Sequence, residues 1–88
     1  MVHVPTDPRP DWVLASRQAI GHRIATLRTA RGMSVDDLAE AAGVDRKSVM
    51  RAEGASVSTG LDLLLMLADG LGVSVAHMVD VEVPRPPT

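Results

Sequence analysis

The sequence predicts an all-α domain of five helices, and three observations predict it. Apolar residues recur at helical spacing, as at Ile20, Ile24 and Leu27, which fall at i, i+4 and i+7. Glycines stand where such stretches should stop, and Ser or Asp residues follow where the next should start, as in Gly32 before Ser34 and Gly43 before Asp45. No stretch alternates with period two for long enough to make a strand. Val79–Val83 comes closest, as a short C-terminal extension.

The first helix is expected from about Trp12 to Arg31, with Asp11 as its N-cap and Gly32 in left-handed geometry at its end. The second opens at Ser34, with Asp37 three residues on completing a capping box. It buries Leu38, Ala39 and Ala42, and Gly43 ends it. Asp45 announces the third, over Arg46–Glu53. With Val49 inward, Lys47 and Arg51 fall about 160° and 200° round the helix, facing solvent. A fourth is expected from near Thr59 to Leu71, burying Leu61, Leu64, Leu65 and Ala68. Ser74 caps a short fifth, whose Val75, Met78 and Val79 close the core.

Eighty-eight residues suit a single domain, expected over 11–82 between a proline-containing tail at 1–10 and a second at 83–88. A hydrophobic share of 45 % is enough for one core, although Trp12 is the only aromatic. The absence of cysteine excludes disulfides, thiol catalysis and Cys-based zinc sites. His3, His22 and His77 lack metal-ligand spacing, and no nucleophile–base set or glycine-rich phosphate loop is present. No cofactor, no metal and no catalysis are expected. No run approaches the ~18 apolar residues of a membrane span, and the first ten residues do not read as a signal peptide. The expectation is a soluble, cytoplasmic protein.

Net charge is −2, but it is polarised. Arg17, Arg23, Arg28 and Arg31 lie in a stretch without acids, and Arg46, Lys47 and Arg51 form a second basic cluster. The chain after Gly54 carries Asp62, Asp69, Asp80 and Glu82 against Arg85 alone. Such a distribution can put one positive face on a mildly acidic body; solvated helix surface is the plainer explanation.

The informative segment is Ser34–Glu53, two short helices joined by Ala42-Gly43-Val44. Short helices joined by a glycine-containing turn of this length are the helix-turn-helix signature, and also occur as ordinary corners in helical bundles. The glycine lets the second helix leave steeply, and Val44 drops between the two. Beyond this segment the sequence resembles the Cro/C1-type (XRE) helix-turn-helix family. The residues that carry the resemblance are Ile20-Gly21-His22-Arg23-Ile24, Leu27-Arg28, Gly32-Met33-Ser34, Asp37-Leu38-Ala39, Ala42-Gly43-Val44, Val49 and Glu53. It continues through Leu61-Asp62, Leu64, Leu67-Ala68-Asp69, Leu71-Gly72-Val73-Ser74 and Met78-Val79 in one register.

The resemblance implies a lambda-repressor-like five-helix bundle, a third helix that enters the major groove of double-stranded DNA, and a transcriptional regulator, commonly dimeric on a palindromic operator. Arg46, Lys47 and Arg51 are then the expected base readers, with Met50 against a thymine methyl. Arg23, Arg31, Ser34, Val35 and Ser48 are the expected phosphate contacts. Arg28 and Glu53 are expected to form a structural ion pair between the first and third helices. Val35 departs from the family's usual phosphate-binding Gln, and the loop Ala55–Ser58 carries no cation.

Leu63 and Met66 fall away from the expected fourth-helix stripe, and with Trp12 they make the expected homodimer surface. For Trp12 the favoured expectation is cover for the end of the core within an extended first helix, with the interface as the alternative. A second function class stays open, a protein-interaction module of antitoxin-like or partner-tethered type with weak DNA binding. Net acidity, Val35 and the uncharged loop favour it; the basic third helix favours the regulator.

Overall fold

A computed structural model of the chain describes residues 8–83. It contains α1 (Asp11–Ala30), α2 (Val35–Ala42), α3 (Arg46–Gly54), α4 (Leu61–Leu71) and α5 (Val75–Met78). Among the described residues there is no strand, and Asp80–Val83 has no regular structure. The two expected tails fall mostly on residues 1–7 and 84–88, outside the described residues, as does His3.

Local chemistry fixes most of the helix limits. At the start of α2, the Ser34 hydroxyl accepts from the Asp37 N–H at 3.0 Å while the Ser34 N–H donates to Asp37 Oδ2 at 2.8 Å, a complete capping box. Asp45 Oδ1 accepts from the Ser48 N–H at 2.7 Å, and Ser74 Oγ accepts from the His77 N–H at 3.0 Å. The start of α1 differs from expectation. Pro10 is the N-cap and makes no side-chain cap bond, while Asp11 is the first helical residue. There its carboxylate faces the positive end of the helix dipole instead of capping it. Gly60, also without a capping side chain, precedes α4.

Both cap carboxylates are held below the ordinary aspartate value. For Asp37 the leading cause is the Ser34 backbone N–H, followed by the Ser34 hydroxyl. For Asp45 it is the Ser48 side chain, then the Ser48 N–H, with smaller help from the charges of Arg51 and Lys47. A folded pKa below the unfolded one means the stabilisation is present above the ordinary carboxylate range and is lost as pH falls through it. Urea midpoints should therefore decline on acidification. Asp45→Asn, which keeps a good N-cap without a titrating group, should make that decline shallower. An acid slope unchanged by Asp45→Asn would contradict this account of the cap.

The core draws on every helix: Ile24 and Leu27 from α1, Leu38, Ala39 and Ala42 from α2, Val49 and Ala52 from α3, Leu67, Ala68 and Leu71 from α4, and Met78 from α5. No polar or charged residue among those described is buried. α2 packs mainly on α4, and α1 on α3. Two glycines permit those approaches. A Cβ on Gly70 would lie 2.9 Å from Ala42 Cβ, and one on Gly21 would lie 2.6 Å from the carbonyl oxygens of both Ala52 and Glu53.

The inward face of α4 is rotated from expectation. Leu64 is half-buried and Ala68 buried, as expected, but Leu61 and Leu65 are 66 % and 48 % exposed, and Leu67 is fully buried in their place. Leu63, expected on an outer surface, packs against the core. Asp62 and Asp69 explain the rotation: seven residues apart, they share the outer crest, and the opposite face carries Leu64, Leu67 and Leu71. Trp12, in the first turn of α1, is half-buried.

Candidate nucleic-acid interface

The turn between α2 and α3 sets the geometry of the candidate site. Gly43 has φ +70°, and its N–H returns to the Glu40 carbonyl at 3.2 Å while the Val44 N–H reaches the Ala39 carbonyl at 2.9 Å. These bonds close the end of α2 and turn the chain sharply into Asp45 and α3. Val44 then packs against the core from the turn.

α3 is held from behind. Val49 and Ala52 are buried, Gly21 brings α1 against its last turn, and Arg28 clamps Glu53. The clamp is bidentate: Arg28 Nε donates to Glu53 Oε2 at 2.6 Å and Nη2 donates to Oε1 at 3.0 Å. The third nitrogen, Nη1, donates to the Met33 carbonyl at 2.8 Å, which ties the α1–α2 link to the same point. The carboxylate, chiefly by its hydrogen bond, raises the Arg28 pKa against an opposing cost of burial. The expected structural pair is therefore present.

With its back fixed, α3 presents Arg46, Lys47, Met50 and Arg51 outward, all four exposed. Arg46 Nε stands 3.7 Å from Asp36 Oδ1 of α2 in a solvent-exposed pair that contributes little to stability. Such a long, exposed contact leaves the guanidinium free to turn outward. After α3, Ala55 occupies left-handed space at φ +55°, a conformation that costs a non-glycine residue roughly 1–2 kcal/mol.

The expected phosphate contacts fare unevenly in geometry. Ser34 spends both its N–H and its hydroxyl on Asp37, and the Val35 side chain packs on the core. Asp36 and Asp37 make the first turn of α2 acidic. The Ser48 N–H is used by Asp45. Arg23 lies about 200° round α1 from Gly21, so it faces away from α3. Its Nε donates to the His77 carbonyl at 2.7 Å and its Nη2 sits 3.3 Å from His77 Nε2, linking α1 to α5. Arg31, exposed just before α2, donates from Nη1 to the Leu27 carbonyl at 3.2 Å. Sequence reasoning missed the Arg23–His77 and Arg46–Asp36 contacts, which join residues far apart in the chain or on different helices and leave no local signature.

Among the described residues, no group of histidines and acids is placed to hold a metal, and no helix is long and apolar enough to cross a membrane.

A buried-backed, solvent-faced second helix after a glycine turn is the geometry of a helix-turn-helix. The comparisons place the chain accordingly. The profile of the family described as "Helix-turn-helix domain" matches residues 19–80, and the chain belongs to that family, in its Cro/C1-type branch. Among solved structures, it is similar to the restriction-modification controller protein C.AhdI from Aeromonas hydrophila. The two are 33 % identical over 73 % of this chain and 97 % of that one, with a TM-score of 0.70. The clp gene regulator ClgR from C. glutamicum is 28 % identical over 73 % and 83 % of the two chains, with a TM-score of 0.67. The hypothetical transcription factor NHTF from Neisseria shares the fold, with a TM-score of 0.69 over 90 % of this chain at 23 % identity. No curated protein matches the sequence.

Proposed function

We propose that this protein is a DNA-binding transcriptional regulator that inserts α3 into the major groove of an operator. The observation that carries the reading is the outward face of α3. Arg46, Lys47 and Arg51 are exposed together on a helix whose rear is locked by Val49, Ala52 and the Arg28–Glu53 pair. Arginine suits bidentate recognition of guanine O6 and N7, and Met50 offers apolar contact to a thymine methyl. Family membership and the likeness to a controller protein and a gene regulator support it. Arg31 is the phosphate contact we carry forward; Ser48, whose side chain and N–H both serve Asp45, is not. Nor is Arg23, turned towards α5.

Selection from a random duplex library tests this reading, and an enriched palindrome is the expected result. On the selected site Arg51→Ala should cost ~1–3 kcal/mol and relax preference at one base pair, leaving binding to random DNA nearly unchanged. Equal losses on both would make Arg51 a phosphate contact. A second reading, an interaction module with weak DNA affinity, draws on Asp36 and Asp37 at the start of α2 and on the engaged Ser34 N–H. Selection without enrichment would favour it.

A palindrome calls for a two-fold protein. We place the contact between copies on Leu61 and Leu65, exposed leucines one turn apart on α4, in place of the core-packed Leu63. Leu65→Glu should give a folded monomer with impaired operator binding. A sedimentation profile identical to that of the parent protein would remove this surface.

A further inference from the structure

The family match begins at Ala19, whereas α1 begins at Asp11, so two turns of helix precede the matched segment. Those two turns wall a pocket of about 240 Å³. Val13 and Ile20 form the α1 side, Leu64 of α4 stands across from them, and Ile24 and Ala52 also line it. Ser58 and Thr59, from the loop before α4, contribute the far rim. Half of the described lining residues are thus aliphatic, with side chains that have nothing to offer a polar ligand group. Among the described residues that line it, the charged ones are Arg9 and Arg17, both cationic.

We propose that this pocket is a ligand site for a small monocarboxylate with an aliphatic tail, the tail against Val13, Ile20, Ile24, Ala52 and Leu64 and the carboxylate at Arg9 and Arg17. Size, polarity and charge each narrow the ligand. The volume lies at or below the small end of the usual ~300–1,000 Å³ range for ligand pockets, which suits a short chain or single ring and excludes a nucleotide or a peptide. An apolar interior favours burial of hydrocarbon. Among the described lining residues the arginines supply the charge complementarity, and charge-assisted bonds to a carboxylate are the strong kind. Both already make contacts within the protein. The proposal does not require them to be unpaired, because a guanidinium carries five N–H donors. A tail in this pocket touches α1, the α3–α4 loop, α4 and, through Ala52, the rear of α3. Binding would therefore tighten the contact that orients α3. The binding claim stands independently of what the outer face of α3 recognises.

Amide shifts of the full 88-residue chain, titrated with octanoate below its micelle concentration, test the site. Saturable shifts at Val13, Ser16, Ile20, Ala52, Ser58 and Thr59 are expected. 1-Octanol, with the same tail and no charge, should move the same amides but bind roughly tenfold more weakly, about what one charge-assisted hydrogen bond contributes. The variant carrying Arg9→Gln and Arg17→Gln should bind octanoate no better than octanol, with octanol binding unchanged. Four results would overturn the proposal: no saturable shift; shifts centred on Leu61 and Leu65, marking a surfactant on exposed leucines; equal affinity for octanol and octanoate; or an undiminished octanoate affinity in the double variant. Shifts at the same amides on simple dilution of unliganded protein would also overturn it, since a second copy would then fill the pocket.

Discussion

Gly21→Ala should cost about 3 kcal/mol, although glycine to alanine inside a helix ordinarily gains ~1 kcal/mol. The added methyl would lie 2.6 Å from the Ala52 and Glu53 carbonyl oxygens and 3.1 Å from the Glu53 carbonyl carbon. Those neighbours are backbone atoms at the end of α3, so no rotamer change can relieve the clash. α1 and α3 must separate, which loosens Val49 and Ala52 against Ile24 and stretches the Arg28–Glu53 pair. Overpacking of this kind costs typically 1–3 kcal/mol, and a rigid neighbour puts it at the upper end. For a domain of this size that is a fall in Tm of roughly 12–24 °C. Gly54→Ala is the control, since a Cβ there meets nothing within 4 Å. Thermal unfolding of both variants decides the matter. Equal stabilities would mean the two helices slide apart cheaply, and that their spacing does not orient α3.

Breaking the Arg28–Glu53 pair from either side should cost ~3 kcal/mol, the low end of the 3–5 kcal/mol seen for fully buried pairs. The low end applies because 14 % and 12 % of the two side chains remain exposed. Arg28→Ala strands the Glu53 carboxylate between helices, and Glu53→Ala strands the guanidinium. Arg28→Met together with Glu53→Leu should recover part of the loss, since apolar groups can replace a buried pair. Recovery stops short of complete, because Arg28 Nη1 also satisfies the Met33 carbonyl. A double-mutant cycle in urea should give coupling of ~0.5–3 kcal/mol. Coupling near zero would show that the two charges are held independently in solution.

Much of this was legible in the sequence because it is local. Ser34 with Asp37, Asp45 with Ser48, and Gly43 after Ala42 declare helix limits through contacts within three or four residues, and each is present. The outward face of α3 followed from one anchor, Val49, and the helical repeat. The face of α4 did not, because Leu63–Leu67 is an unbroken apolar run that supports more than one phase. Asp62 and Asp69 held the missing information, since a shared polar crest points the opposite face inward. The Arg28–Glu53 pair came from family resemblance and not from spacing, and it forms as that resemblance implies. Arg23, Ser34 and the α1 pocket show the limit of one-dimensional reading. Whether a polar group is available to a ligand depends on neighbours that only folding supplies.

The close approach at Gly21 divides labour within α3. What holds the helix against α1 at its last turn is the approach of Gly21 to two backbone carbonyls and the Arg28–Glu53 pair, none of it on the outer face. The four outward side chains, Arg46, Lys47, Met50 and Arg51, are exposed and lie outside the packed core. Frame and address are therefore separable. The outer residues can be exchanged in combination, as letters on a fixed plate, without renegotiating how the plate is mounted. On the proposed DNA-binding reading, such a scaffold diversifies its preference by changing four positions while its fold stays the same, and it can be rewritten by design at those same four.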